Sequence, residues 1–260
     1  MSPIQHIKLG LVDSTQIVAK REILTLSLHQ WYMWSAQGQT GGYGRRGRCW
    51  FSPMHANMYV TYGFFLKKSG NVEISCISQT AAYSAIETLE ELEIKNIAFK
   101  WPNDVLINQK KISGSLVEVL QYDGETNAIL LGVGINVNSS TRELSIIDQP
   151  ATSISIATGE TYEVLAIIDI FSKKLYHNMQ EVFLKGFGDI NAKINNKLHR
   201  FNGDRVVLQN EDKYFSGKIE SVGMKGELLL SECPERSHYN GTLLKGNLLK
   251  AYLQSLEPTK

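Results

Sequence analysis

Residues 39–48 read Gln-Thr-Gly-Gly-Tyr-Gly-Arg-Arg-Gly-Arg, with four glycines and three arginines in ten positions. So much glycine, the most permissive of residues, removes this stretch from regular structure and makes it a loop. The aromatic-rich run 31–36 and the run 57–66 then read as the strands it joins. Glycines let a backbone approach a ligand closely, while arginines present forked donors, so the loop suits phosphate or carboxylate. It lacks the Gly-Lys-Ser/Thr ending of a Walker A loop and does not fit the strand-turn-helix spacing of a dinucleotide fingerprint. On composition alone, a solvated basic loop or an RNA-contacting segment fits equally well.

The whole chain excludes some of these partners. Its 27 basic and 26 acidic side chains leave a formal charge of +1, so no sequence-wide field recruits nucleic acid or anionic lipid, and any anion site is local. With 260 residues and 43% hydrophobic content, the chain suits one large domain plus a small one. Cys49, Cys76 and Cys233 lie too far apart for a metal knuckle or a small disulfide framework and read as reduced thiols. The N-terminus shows no basic region followed by an apolar stretch, and no run approaches the ~20 apolar residues that span a bilayer. A cytoplasmic chain is the expectation.

There is no internal repeat and no low-complexity linker, so organisation follows from changes in pattern. Asp13-Ser14-Thr15 reads as a helix start, with the helix running to about Leu28. From Ile74 onward, Ile77, Ala81, Ala85, Ile86, Leu89 and Leu92 fall on one side of a helix that should cover a sheet. Strands follow at 97–100, 105–107, 115–122 and 128–133, the last two joined by an Asp123-Gly124 turn, giving a mostly antiparallel sheet. Thr161 is expected to cap a long helix carrying Val164, Leu165, Ile168, Phe171, Leu175, Met179 and Val182, with a shorter helical stretch up to about His199. After Phe201 the chain turns to short β pieces, 205–208, 214–222 and 227–230, punctuated by glycines. The expected division is a domain over 1–199 and a small β-barrel over 200–260 that packs against it.

Three further segments carry polar groups at turns. Lys100-Trp101-Pro102-Asn103-Asp104 stops a strand at a proline and presents a cation, an amide and a carboxylate, although Asn, Asp and Pro are also ordinary turn residues. Lys110-Lys111-Ile112-Ser113-Gly114 places lysines beside a glycine at the start of an apolar strand, and turn lysines are commonly just solvated. In Leu131-Gly132-Val133-Gly134-Ile135-Asn136, two glycines in a strand mark close approach of a ligand or backbone, or a β-bulge.

Together and in this order, these segments resemble the signature of the biotin protein ligase family. The resemblance covers Asp13-Ser14-Thr15, Gln39 with Gly44-Arg45-Arg46-Gly47-Arg48, Trp50-Phe51-Ser52-Pro53, residues 100–104, Lys111-Ile112, Gly114, Leu116-Val117-Glu118 and residues 132–136. It implies an α+β fold: a mostly antiparallel sheet flanked by helices, similar to class II synthetases, followed by an SH3-like β-barrel. It also implies an ATP-dependent, AMP-forming ligase that makes biotinyl-5'-AMP and transfers biotin to a lysine of a biotin carboxyl carrier protein, as in acetyl-CoA carboxylase. Biotin and ATP are then substrates, and Mg²⁺ escorts the triphosphate.

By the same resemblance, Arg45, Arg48 and Lys111 are catalytic, and Ser14, Thr15, Gln39, Gly42 and Lys111 hold biotin. Gly44, Arg45, Arg48, Trp50, Lys100, Asn103, Asp104, Gly132, Gly134 and Asn136 fall on the ATP and adenylate side. The resemblance assigns no protein metal ligands. Tyr43 departs from it, standing where the family loop commonly has its first arginine and removing a charged donor. Gln16 replaces a frequent asparagine, and Ser113 and Ser115 replace more usual apolar residues, with a modest effect expected on the pocket.

Two other functions share parts of this pattern. A lipoate or octanoyl ligase or transferase has the same catalytic architecture with a different acid pocket, but the arginine–glycine loop and the Lys-Trp-Pro-Asn-Asp motif resemble the biotin branch. A non-catalytic biotin-binding protein is suggested by Tyr43 alone, and Arg45, Arg48 and Lys111 argue against it. About a dozen residues precede Asp13, so neither a DNA-binding winged helix nor a repressor role is expected. Both monomer and homodimer fit.

Overall fold

The computed structural model describes residues 3–70, 72–210 and 213–243. Its larger sheet is built from β1 (Ile4–Val12), β2 (Trp31–Gln39), β3 (Met58–Lys67), β4 (Ile97–Lys100), β5 (Asp104–Ile107), β6 (Lys110–Gln121) and β7 (Thr126–Ile135). The strand order is β1-β2-β3-β7-β6-β5-β4, parallel between β1 and β2 and antiparallel elsewhere. The fold is therefore α+β with a mostly antiparallel sheet, as expected.

Period-two alternation sorts the side chains to two faces. Val60, Tyr62 and Phe64 of β3, with Ile129, Leu131, Val133 and Ile135 of β7, form one apolar core with α2 (Ile74–Glu91) and α5 (Val164–Lys185). On the opposite face, Leu130 and Ala128 join Tyr32, Trp34 and Ala19 in a smaller cluster beneath α1 (Thr15–Glu22). Buried hydroxyls on α2 do not lack partners: Thr80, Ser84 and Thr88 each donate to the carbonyl four residues back. This leaves the face beyond α1 for the polar segments.

Several boundaries differ from the sequence reading. Ser14 does cap α1, accepting from Gln16 N, but the helix ends at Glu22 and tightens into a 3₁₀ turn over Ile23–Thr25, short of Leu28. Leu24 and Leu28 are exposed, so nothing apolar pulls a longer helix onto the sheet. Thr161 does not cap α5, whose N-cap is Glu163 with no side-chain bond. β1 was not anticipated, and neither were α3 (Thr141–Leu144) and α4 (Ile154–Thr158), which Ser140 and Ser153 cap. The shorter helical stretch is α6 (Gly188–Lys197).

The C-terminal strands are β8 (Arg205–Asn210), β9 (Lys213–Val222), β10 (Leu228–Ser231), β11 (Ser237–His238) and β12 (Thr242–Leu243). They form an antiparallel sheet in the order β11-β10-β9-β8-β12, and no pairing among the described residues closes it into a barrel. The expected segment 200–260 lies partly outside the described residues. Val206, Leu208, Ile219, Val222, Leu228 and Leu230 belong to the same core as α2 and α5, so the expected packing between the two sheets is present.

The β9–β10 connection fixes the contact between the two sheets. The Gly226 carbonyl accepts from Gln79 Nε2 at 2.7 Å and from Trp101 Nε1 at 3.0 Å, and Ser75 Oγ donates to the Lys225 carbonyl. Cys49, Cys76 and Cys233 are all free thiols, and burial pushes the Cys76 thiol up to about 12. Among the described residues no helix is long and apolar enough to cross a membrane.

Gly226 has φ +78°, and a Cβ there would lie 2.7 Å from Ser75 Oγ. Gly226→Ala should therefore lower unfolding free energy by about 1–3 kcal/mol. Urea unfolding would check this, and an unchanged midpoint would show that the turn does not hold the sheets together.

Candidate functional site

Gly114 of β6 and Gly134 of β7 face each other across the sheet. Two adjacent positions without side chains leave a trough, and the indole of Trp50 lies in it. A Cβ at Gly134 would fall 2.4–2.6 Å from three ring atoms, and one at Gly114 would fall 3.2 Å from the ring. Trp50 Nε1 is buried and has no hydrogen-bond partner among the described residues. β7 shows no bulge in its pairing with β3 or β6, so Gly134 serves the close approach of a side chain.

Trp50 brings down the loop it terminates. Tyr43 pairs with Cys49 as an antiparallel bridge, Gly44 N donates to Arg48 O, and Trp50 N donates to Gly42 O, so the loop folds back as a hairpin. Its tip is a 3₁₀ turn over Arg45–Gly47, with Arg46 at φ 59°. At its base, the Gln39 carboxamide oxygen accepts from Thr15 N at 2.8 Å and from Thr15 Oγ1 at 3.2 Å, while Nε2 donates to Ser52 Oγ at 2.9 Å. The Thr61 hydroxyl lies 2.9 Å from Thr15 Oγ1 and 3.0 Å from Gln16 Oε1, with one proton for the two. A Cβ at Gly42 would lie 2.7 Å from both Gln39 Nε2 and Ser52 Oγ, and one at Gly132 would lie 2.7 Å from Gln16 Oε1. These glycines make room for a buried, preorganised amide and hydroxyl cluster.

The Lys-Trp-Pro-Asn-Asp segment forms the turn between β4 and β5, with a cis Trp101–Pro102 peptide. Its consecutive residues Asn103 and Asp104 each hold one cation. Lys111 Nζ lies 2.7 Å from Asp104 Oδ1, with both side chains largely withdrawn from water, and 5.2 Å from the centroid of Trp50. Arg45 donates to Asn103 Oδ1 at 3.4 Å and to Asn240 Oδ1 at 2.7 Å. Asn103 Nδ2 in turn donates to the Ser115 carbonyl. Burial, then neighbouring Arg46, pull the Arg45 guanidinium below its ordinary range, with Asp104 opposing. A cation held at that cost favours an incoming anion.

Lys100 is the cross-strand partner of Asp104 at the same turn. Asn136 is buried, donates from Nδ2 to Thr152 O, and lines a cavity of about 30 Å³ with Trp50, Lys111 and Cys49. Such a volume admits little more than one water, so any larger molecule enters only if the loop or the indole moves. Arg48 lies exposed on the loop's return limb, near enough for its charge to act on Arg45. Ser115 does not face the trough: its hydroxyl meets Ser78 of α2 at 2.8 Å, on the other face from Gly114, so the expected effect on the pocket becomes a helix contact.

Sequence reasoning gave no role to Ser52, Thr61 or Asn240. Ser52 stood inside a quoted segment, whereas Thr61 is one hydroxyl in an ordinary strand and Asn240 is 195 residues from its partner.

A glycine-cleared sheet face beneath an arginine hairpin, with a second cation at its margin, defines an α+β anion-handling domain. Residues 9–136 match the model of the biotin/lipoate A/B protein ligase family, so the chain carries a domain of that family. It is 28% identical over 197 residues to the bifunctional ligase/repressor BirA of Escherichia coli, covering 76% of this chain and 60% of that protein. It is 26% identical over 229 residues to the biotin–(acetyl-CoA-carboxylase) ligase of Paracoccus denitrificans, covering 85% and 92%. The biotin protein ligase from Aquifex aeolicus, solved in complex with biotin and ATP, superposes with a TM-score of 0.78 at 29% identity, covering 93% of this chain and 99% of that one. The chain thus spans about three fifths of the length of the first of these relatives and nearly all of the others.

Gly134→Ala should expel the Trp50 ring from the trough and lower stability by about 1–3 kcal/mol, the cost of overpacking. Near-UV circular dichroism and thermal unfolding would report both effects, and unaltered spectra would place the ring elsewhere.

Proposed function

We propose that this chain is an ATP-dependent biotin protein ligase that forms biotinyl-5'-AMP and transfers biotin to a lysine of a biotin carboxyl carrier protein. The observation that carries the reading is the side-by-side placement of Arg45 and Lys111 on Asn103 and Asp104, next to Trp50. Activating an acid with ATP brings a carboxylate to a phosphate, and two cations at one margin counter that repulsion.

In the first step a biotin carboxylate oxygen attacks the α-phosphorus, and pyrophosphate leaves with the electron pair of the broken P–O bond. Arg45 and Arg48 follow the phosphate charge, while Lys111 exchanges Asp104 for the carboxylate and phosphate oxygens and holds them together. A Mg²⁺ ion bound with the nucleotide would supply neutralisation of the triphosphate charge. Asp104 is the carboxylate at this margin suited to face it once Lys111 has moved. In the second step the carrier lysine amine attacks the acyl carbon, AMP leaves, and the amine gives up a proton.

Ser14, Thr15, Gln39 and Gly42 border the acid pocket, where the Thr15–Gln39 pair can exchange partners with the ureido group. Gly132 lies against Gln16 beside them and joins that side. Gly44, Trp50, Lys100, Asn103, Gly134 and Asn136 remain with the adenylate. We place the domain boundary near residue 200, the carrier in acetyl-CoA carboxylase, and the reaction in the cytoplasm.

The test is ATP-dependent labelling of a purified biotin carrier domain, with lipoic acid in parallel. Biotin should label and lipoic acid should not, and Arg45→Ala and Lys111→Ala should each lower the rate about 10²–10³-fold. Saturable biotin binding without pyrophosphate release would leave a binding protein and sink the enzyme.

A further inference from the structure

Tyr43 stands outside the roles given above, yet its hydroxyl donates to Glu118 Oε2 of β6 at 2.9 Å. Glu118 Oε1 in turn lies 3.6 Å from Lys20 Nζ of α1. A phenol has a single proton to donate. Spent on Glu118, it leaves none for a phosphate, so Tyr43 fastens the loop rather than binding ligand. Burial, then the bond to Glu118, raise the hydroxyl to about 12, so it stays a donor through the working pH range.

Three of the contacts that fasten the loop differ in what substrate entry demands of them. Trp50 fills the glycine trough, and Arg45 is bound to Asn103 and Asn240. On the ligase reading both lie on the adenylate side, and the cavity between Trp50, Lys111 and Asn136 is only about 30 Å³. At least one of them gives way on binding. Tyr43 lies at the Tyr43–Cys49 rung nearer the loop base and points to Glu118, so its bond can persist while the tip opens.

We propose that Tyr43 is a positioning residue: its bond to Glu118 keeps the loop base docked with or without ligand and thereby sets how long the acyl-adenylate is retained before transfer. The retention half rests on the ligase reading, and the docking half does not. A phenol–carboxylate bond serves both states because neither partner is needed by the substrate. The hydroxyl thus replaces a cation whose hold on the loop would depend on a bound phosphate.

The loop tip supplies its own reporter, since trypsin cleaves after Arg45, Arg46 and Arg48. Without ligands, Tyr43→Phe should be cut about tenfold faster than wild type, the effect of one lost hydrogen bond to a charged acceptor. Glu118→Ala should do the same, and the double variant should be cut no faster than either single one. With biotin and ATP but no carrier, adenylate escaping to hydroxylamine should also rise about tenfold in Tyr43→Phe.

Equal cleavage of wild type and Tyr43→Phe would overturn the docking, as would additive rates in the double variant. Faster cleavage without faster escape would overturn the retention. If wild type releases no pyrophosphate, the ligase reading fails, while the cleavage comparison still decides the docking.

Discussion

The site depends on the register of β6 against β7. Because Gly114 faces Gly134, a strip of the sheet carries no side chains, and a ring as wide as indole can lie flat on the backbone. A slip of β7 by one residue would turn Gly134 to the α2 and α5 side and present Val133 or Ile135 opposite Gly114 instead. Lys111 lies three residues before Gly114 on β6, and β5 sets Asp104 opposite Gly114, so the lysine amine reaches Asp104 and lies over the indole. Loop, cation and carboxylate are therefore located by the pairings of β6 with its two neighbours.

That arrangement explains how two cations stay ready without a ligand. A half-buried ion loses hydration that only a partner restores. Lys111 recovers it from Asp104, and Arg45 from the neutral amides of Asn103 and Asn240. The difference is physically useful. Amides accept from the guanidinium without cancelling its charge, so Arg45 stays a net cation, whereas Lys111 is neutralised by Asp104. Trp50 Nε1, without a partner among the described residues, marks the same margin as incompletely satisfied.

Much of this was legible in the sequence where a residue type has one strong use. The strands from β2 to β7 follow from β-rich runs bounded by turn residues, and α2 and α5 from helical spacing that buries a continuous face. The misses share a cause. β1 is an edge strand, largely half-exposed and interrupted by Lys8 and Gly10, so its pattern is faint. α1 was read too long because Leu24, Leu26 and Leu28 continue an apolar series that the fold never covers fully. In the site, residue types indicated what could be donated but not what was already taken. Gln39 and Thr15 satisfy each other, the strand glycines admit side chains, and Tyr43 finds its acceptor 75 residues away.

The same limit explains why the C-terminal sheet is more than an appendage. Trp101, buried within the Lys-Trp-Pro-Asn-Asp turn, has its indole N–H held by the carbonyl of Gly226, and Arg45 reaches Asn240 beyond β11. The turn that presents Asn103 and Asp104 is thus held from behind by one unit while its side chains serve the other. A turn between two four-residue strands has little packing of its own to fix it. A buried donor that would otherwise lose its hydrogen bond holds it instead, because leaving the indole N–H unpaired costs more than the bond itself contributes. The geometry of the two cations accordingly depends on contacts made by residues far outside the segment that the family model matches.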